Sequence, residues 1–166
     1  VRYPGSEYSH DAASEAAWGS VGDYGDWQRQ QITDTLLAVR AQVDVPMSAA
    51  VWGIYENDWG WSSVSQGNVS YYQDSRAFLA QGALDAHAPM IYWGVTATPG
   101  DRLDFRTLAG DHVAHSSGRH VYPGISTEMS WSQVEDCIGV RDQGWIDDLA
   151  SGVWANPAVV PEMPWR

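Results

Sequence analysis

The chain has 166 residues and a mass of 18.3 kDa, enough for one domain with a sizeable core, and its 44% hydrophobic content excludes intrinsic disorder. Nine arginines and no lysine oppose 21 acidic residues, for a net charge of −12. That balance excludes nucleic acid and anionic membranes as expected partners, because phosphate recognition relies on a positive surface. No apolar run reaches membrane-spanning length.

Residues 5–25 are rich in Gly, Ser, Asp and Ala and read as a long loop with one helical turn at 11–18. A helix starts near Asp26, taken as its cap, with an apolar stripe of Ile32, Leu36, Leu37, Val39 and Val43. Val45-Pro46 stops it, and a small-residue strand follows over 47–55. After a Gly-, Ser-, Asn- and Trp-rich loop over 56–70, a second helix is expected at 71–81, with Gly82 as its stop. Then come a strand at 86–93, a helix at 104–116, a strand at 120–125 and a helix at 131–143 capped by Ser130. The last strand is 149–154, and a tail with three prolines occupies 156–166.

Strand and helix alternate four times, with strand starts about 39, 34 and 29 residues apart. Such spacing implies parallel strands joined by right-handed crossovers, in an open doubly wound sheet or a (β/α)8 barrel. No Gly-rich phosphate fingerprint follows any strand, which argues against a dinucleotide fold. In a barrel, chemistry gathers at the C-terminal strand ends.

Those ends are where this chain concentrates its aromatics. The run Ala88-Pro89-Met90-Ile91-Tyr92-Trp93-Gly94 reads as a buried strand whose tip opens into a site. Trp52 and Tyr55 end the first strand in the same manner, and Trp154 ends the last. A pyranose ring offers an apolar C–H face that stacks on a π-system, so aromatics at successive tips suit a sugar-binding cleft. Glycoside hydrolysis also needs two carboxyl groups flanking the bond, roughly 5–5.5 Å apart for retention and about 6.5–9.5 Å for inversion. Glu56 directly follows the first strand and Glu128 lies just past the third; they are the best pair, with Asp58 as substitute.

Other chemistry is less well supported. Asp74, Asp85 and Asp104 fall on helices or at strand starts and read as stability residues. His10, His112 and His115 have surface-like contexts, and no metal site is expected at the i, i+3 pair His112 and His115. No Cys/His pair has zinc spacing, no metal or cofactor is implied, and no Gly-x-Ser-x-Gly elbow is present. The lone Cys137 cannot form an internal disulfide and reads as a core residue, leaving the compartment open.

Taken in order, several segments resemble the C-terminal half of the glycosyl-hydrolase-like family 10 proteins, a bacterial (β/α)8 family. Val1-Arg2-Tyr3-Pro4-Gly5 looks like the segment after the family's fourth strand. Asp26-Trp27-Gln28-Arg29-Gln30-Gln31-Ile32 resembles its Asp-Trp-Arg-Arg helix start. Asp74-Ser75-Arg76, then Ala88-Pro89-Met90-Ile91-Tyr92-Trp93, resembles its Asp-Thr-Arg helix and Pro-Gln-Ile-Tyr-Trp strand, and 120–125 its seventh strand. Met90 replaces the family's Gln, which puts one polar substrate contact in doubt. The resemblance also implies that the fourth-strand acid, the family's expected catalytic acid, lies upstream of Val1.

The expected architecture is therefore a partial, half TIM-type barrel: about four parallel strands with outer helices. It forms a single domain over 1–166, made of a loop-rich opening (1–25), β/α units (26–155) and the tail. Its expected function is glycoside hydrolase-like, cleaving or binding a polysaccharide or oligosaccharide. The expected substrate-binding residues are Tyr3, Trp52, Tyr55, Tyr92, Trp93 and Trp154, and the expected catalytic residues Glu56, Glu128 and Asp58. The competing reading is a catalytically silent carbohydrate-binding or self-associating fragment. A half-barrel leaves one sheet face uncovered, so a homodimer is expected. A polysaccharide substrate places the protein outside the cell or in the periplasm, although residues 1–5 do not read as a signal peptide.

Overall fold

The computed structural model describes residues 1–140. It is a mixed α/β arrangement with elements α1 (Ala12–Trp18), α2 (Tyr24–Arg40), β1 (Ser48–Trp52), α3 (Gly67–Ser70), α4 (Ser75–Ala80), β2 (Ala86–Met90), α5 (Phe105–Ala114) and β3 (His120–Val121). Residues 131–140 are also helical. The three strands form one parallel sheet in the order β1-β2-β3, the side-by-side order expected from the alternation. The expected fourth strand at 149–154, with Trp154, lies outside the described residues.

Register fixes which side of the sheet the helices cover. Ala49 pairs with His87, Val51 with Pro89, and His87 with Val121, so these side chains share one face. Val51 packs with Ile32 and Leu36 of α2 and with Phe78 and Leu79 of α4. His87 meets His112 of α5 edge to face, with ring centroids 5.0 Å apart. Helices α2, α4 and α5 therefore lie against the same face. On the other face Ser48 and Ala50 are exposed.

Local chemistry explains the element ends, and corrects several expected ones. Asp23, not Asp26, caps α2: its carboxylate accepts the Asp26 N–H at 2.9 Å. Gln28, Ile32, Thr33 and Leu36 form the buried stripe of α2, whereas Val39 and Val43 are exposed. The helix expected at 71–81 begins only at Ser75, because Tyr72 adopts φ +49° and Asp74 accepts the Ala77 N–H at 3.0 Å as the cap. The loop expected over 56–70 contains the short helix α3. Asp104 caps α5 through Thr107, and Ser130 with Gln133 makes a reciprocal capping box for the helix at 131–140.

The strands are shorter than the sequence pattern implies, and the chain after β1 bonds away from the sheet. Beyond β1, the carbonyls of Ile54 and Tyr55 accept from Gly67 and Asn68 of α3. Beyond β3, Tyr122 and Gly124 still donate to His87 and Pro89, which keeps the chain beside β2 as far as Gly124.

Candidate functional site

The C-terminal ends of the strands converge on one apolar cluster. Ile54 follows β1, Ile91 follows β2, and both are fully buried with Trp61, Phe105, Leu108 and Cys137. Trp52, Trp59, Trp93, Ile125 and Met129 pack around it. The tips of β1 and β2 approach so closely that a Cβ at Gly53 would collide with the Met90 carbonyl, so only glycine fits there. The Gly53 carbonyl accepts a hydrogen bond from His112 Nε2 at 3.2 Å, which ties the β1 tip to α5.

Trp52 is the best-defined aromatic of this rim. Its Nε1 donates to the Ser65 carbonyl at 2.8 Å, and its backbone N–H to Gln73 Oε1 at 2.6 Å. Its ring lies 4.6 Å from that of Tyr71, and the Arg2 guanidinium sits 4.3 Å from the Tyr71 centroid and 5.4 Å from that of Trp52. Tyr71, Gln73 and Arg2 are thus neighbours of the rim that pattern reasoning missed. Tyr71 and Gln73 fell inside the helix expected at 71–81, and Arg2 figured only in the family-like opening segment.

Glu56 stands immediately after the β1 tip, half-buried, and its carboxylate accepts from Asn68 Nδ2. Asn68 is itself held: its N–H donates to the Tyr55 carbonyl, and its own carbonyl accepts from Arg29 at 3.2 Å. Asp58 and Glu128 are both exposed. The Glu128 N–H donates to Ser126 Oγ at 3.1 Å.

The remaining expected aromatics occupy different settings. Trp93 is half-buried on the cluster, with its carbonyl 3.8 Å from the Cys137 thiol. Tyr92 is 53% exposed. Tyr3 packs edge to face on Tyr72, and burial pushes its phenol pKa up. Tyr55 is buried on the helix side: its hydroxyl donates to Asp74 at 3.1 Å, and the Arg76 guanidinium stacks 4.0 Å from its ring. Burial first, then the Asp74 charge, raises the Tyr55 pKa far above the ordinary phenol range. Arg76 also pairs with Asp111 at 2.9 Å, linking α4 to α5 beside a shallow groove lined by Ala77, Ala80 and His115.

The acids read as stability residues do structural work. Asp85 takes two bonds from Arg40, at 2.6 and 3.1 Å, and one from the Met47 N–H at 2.7 Å. Burial alone would raise the Asp104 pKa, but bonds from the N–H and hydroxyl groups of Thr96 and Thr107 outweigh it and hold the carboxyl below its usual range.

His112 is a correction. It is 2% exposed, not on the surface, because its position on α5 faces the sheet and its ring bonds to Gly53. His115 turns the other way, 3.1 Å from Asp111, so the two do not share a site. His87, 1% exposed, has both ring nitrogens buried with no hydrogen-bond partner among the described residues. No group of three His, Cys, Asp or Glu side chains among those residues is placed to hold a metal ion.

No family model matches the chain. It is similar to the glycosyl hydrolase YngK of Bacillus subtilis, 24% identical over 84% of this chain and 35% of that protein. It is also similar to the glycosyl hydrolase DigH of Escherichia coli O6:H1, 29% identical over 74% of this chain and 30% of that protein. DigH of Escherichia coli K12 is 26% identical over the same shares. The chain spans about a third of the length of these curated relatives.

Proposed function

We propose that this chain is the C-terminal part of a TIM-type barrel of the glycosyl-hydrolase-like family 10 kind, and that it binds a polysaccharide or oligosaccharide for hydrolysis. The observation that carries the reading is the convergence of Trp52 and Trp93 on one cluster at the C-terminal strand ends, with Glu56 held by Asn68 beside the first of them. Three parallel strands with their helices on one face fit such a barrel, and that end of the strands is where barrel chemistry is sited. The names of the relatives supply the reaction class.

In this reading Trp52, Trp93 and Tyr92 stack sugar rings, with Tyr3 at the margin and Tyr55 acting through Asp74 and Arg76 to fix the segment before Glu56. Glu56 is the acid/base, and Glu128 or Asp58 supplies the second carboxylate. The uncovered sheet face, with Ser48 and Ala50 exposed, is where a second copy associates.

Reducing-sugar release from a panel of polysaccharides tests the reading. Release from at least one polymer is expected. Binding without release would favour the silent carbohydrate-binding fragment. Neither binding nor release would overturn both.

A further inference from the structure

We propose that Trp59, supported by Trp61, forms an additional sugar-stacking platform beside the strand-tip cleft, taking an outer pyranose ring of the same oligosaccharide. This rests on the carbohydrate reading above. Trp59-Gly60-Trp61 is a short motif whose geometry is set by its glycine: Gly60 adopts φ +70°, which turns the chain so that the flanking rings stack. Their centroids are 4.6 Å apart with planes 24° from parallel. A Cβ at Gly60 would meet nothing within 4 Å, so the glycine serves the backbone turn and that side of the loop is open.

The loop is built to hold this pair still. Asn57 closes it from both ends, donating to the Trp61 carbonyl at 2.5 Å and accepting the Trp61 N–H at 3.0 Å. The Asn57 N–H donates to Gln66 Oε1 at 2.8 Å. Trp61 Nε1 donates to the Gly100 carbonyl at 3.2 Å, and Arg102 donates to the carbonyls of Ser62 and Ser63. Trp61 is thereby buried as the base, while Trp59 keeps part of its surface in water. A rigid ring stacks a ligand without the entropy cost of ordering a free side chain. Because Trp52, Trp59 and Trp93 pack around one cluster, the platform adjoins the cleft and extends it.

An outer platform is felt only by ligands long enough to reach it. The experiment titrates the 166-residue chain with cello- and chito-oligosaccharides of two to six sugars, by calorimetry, for wild type, Trp59→Leu and Trp59→Phe. Leucine keeps apolar bulk over Trp61 without a π-face; phenylalanine restores one. The expected result is about tenfold weaker binding of the hexamer by Trp59→Leu, an unchanged dimer affinity, and recovery of most of the loss in Trp59→Phe. Equal weakening at every length, or an unchanged hexamer, would overturn the platform and leave the cleft reading standing. If wild type binds neither ladder, the carbohydrate reading falls and the platform with it.

Discussion

Acid destabilises this fold through two histidines that the sheet and α5 bury together. Burial lowers the His87 pKa to about 3, with the neighbouring His112 adding to the effect. Burial likewise lowers His112, to about 4, against the raising influence of its Gly53 bond and of Asp111. Both rings therefore stay neutral in the folded chain down to these values, whereas in the unfolded chain they take up protons below about 6.5. The unfolded state binds more protons, so stability is fully present above pH 6.5 and is lost as pH falls. Between pH 7.5 and 5.0 each ring withdraws about 2 kcal/mol, or about 4 kcal/mol for the pair. Urea unfolding followed by tryptophan fluorescence at the two pH values reads this directly. The control is His87→Leu: neither ring nitrogen of His87 has a hydrogen-bond partner among the described residues, so an apolar side chain of similar size loses no bond. The variant should match wild type at pH 7.5 and exceed it by about 2 kcal/mol at pH 5.0. Equal pH slopes for the two proteins would refute the reasoning.

Other outcomes follow from the same contacts. Trp93→Ala should weaken oligosaccharide binding by about 1–3 kcal/mol, the loss of one stacked aromatic, measured by calorimetry on protein shown to be folded. Asp85→Ala removes the carboxylate that joins α2 to the start of β2 and leaves Arg40 without its ion pair; chemical denaturation should show a loss of about 2 kcal/mol with an unchanged urea slope. Light scattering should return a homodimer, and a cooperatively folding 18.3 kDa monomer would remove the proposed association through the uncovered sheet face.

Alternation of apolar strands with capped helices made the parallel sheet legible, because period and spacing alone dictate those crossovers. Boundaries were harder. Asp23 and Asp26 are equally good caps by residue type, and only the tertiary path of the chain before α2 selects the first. Tyr71 and Gln73 looked like the opening turn of a helix, but their side chains instead serve Trp52, a contact no local pattern encodes. His112 followed the same logic in reverse: polar and flanked by Asp111, it reads as a surface residue until α5 is laid against β2. The aromatic strand tips were visible as residues, while the convergence of Trp52 and Trp93 on one cluster, and the stacking of Trp59 on Trp61, depended on loops whose course the sequence does not reveal.

The most direct test of the account pairs wild type with Glu56→Gln on whichever polysaccharide the wild-type chain degrades. A neutral amide keeps the shape of the side chain and can neither supply nor take the proton. The account predicts binding within about twofold of wild type and reducing-sugar release slowed at least about a hundredfold, the scale of a lost general acid or base. Full activity in Glu56→Gln would contradict it.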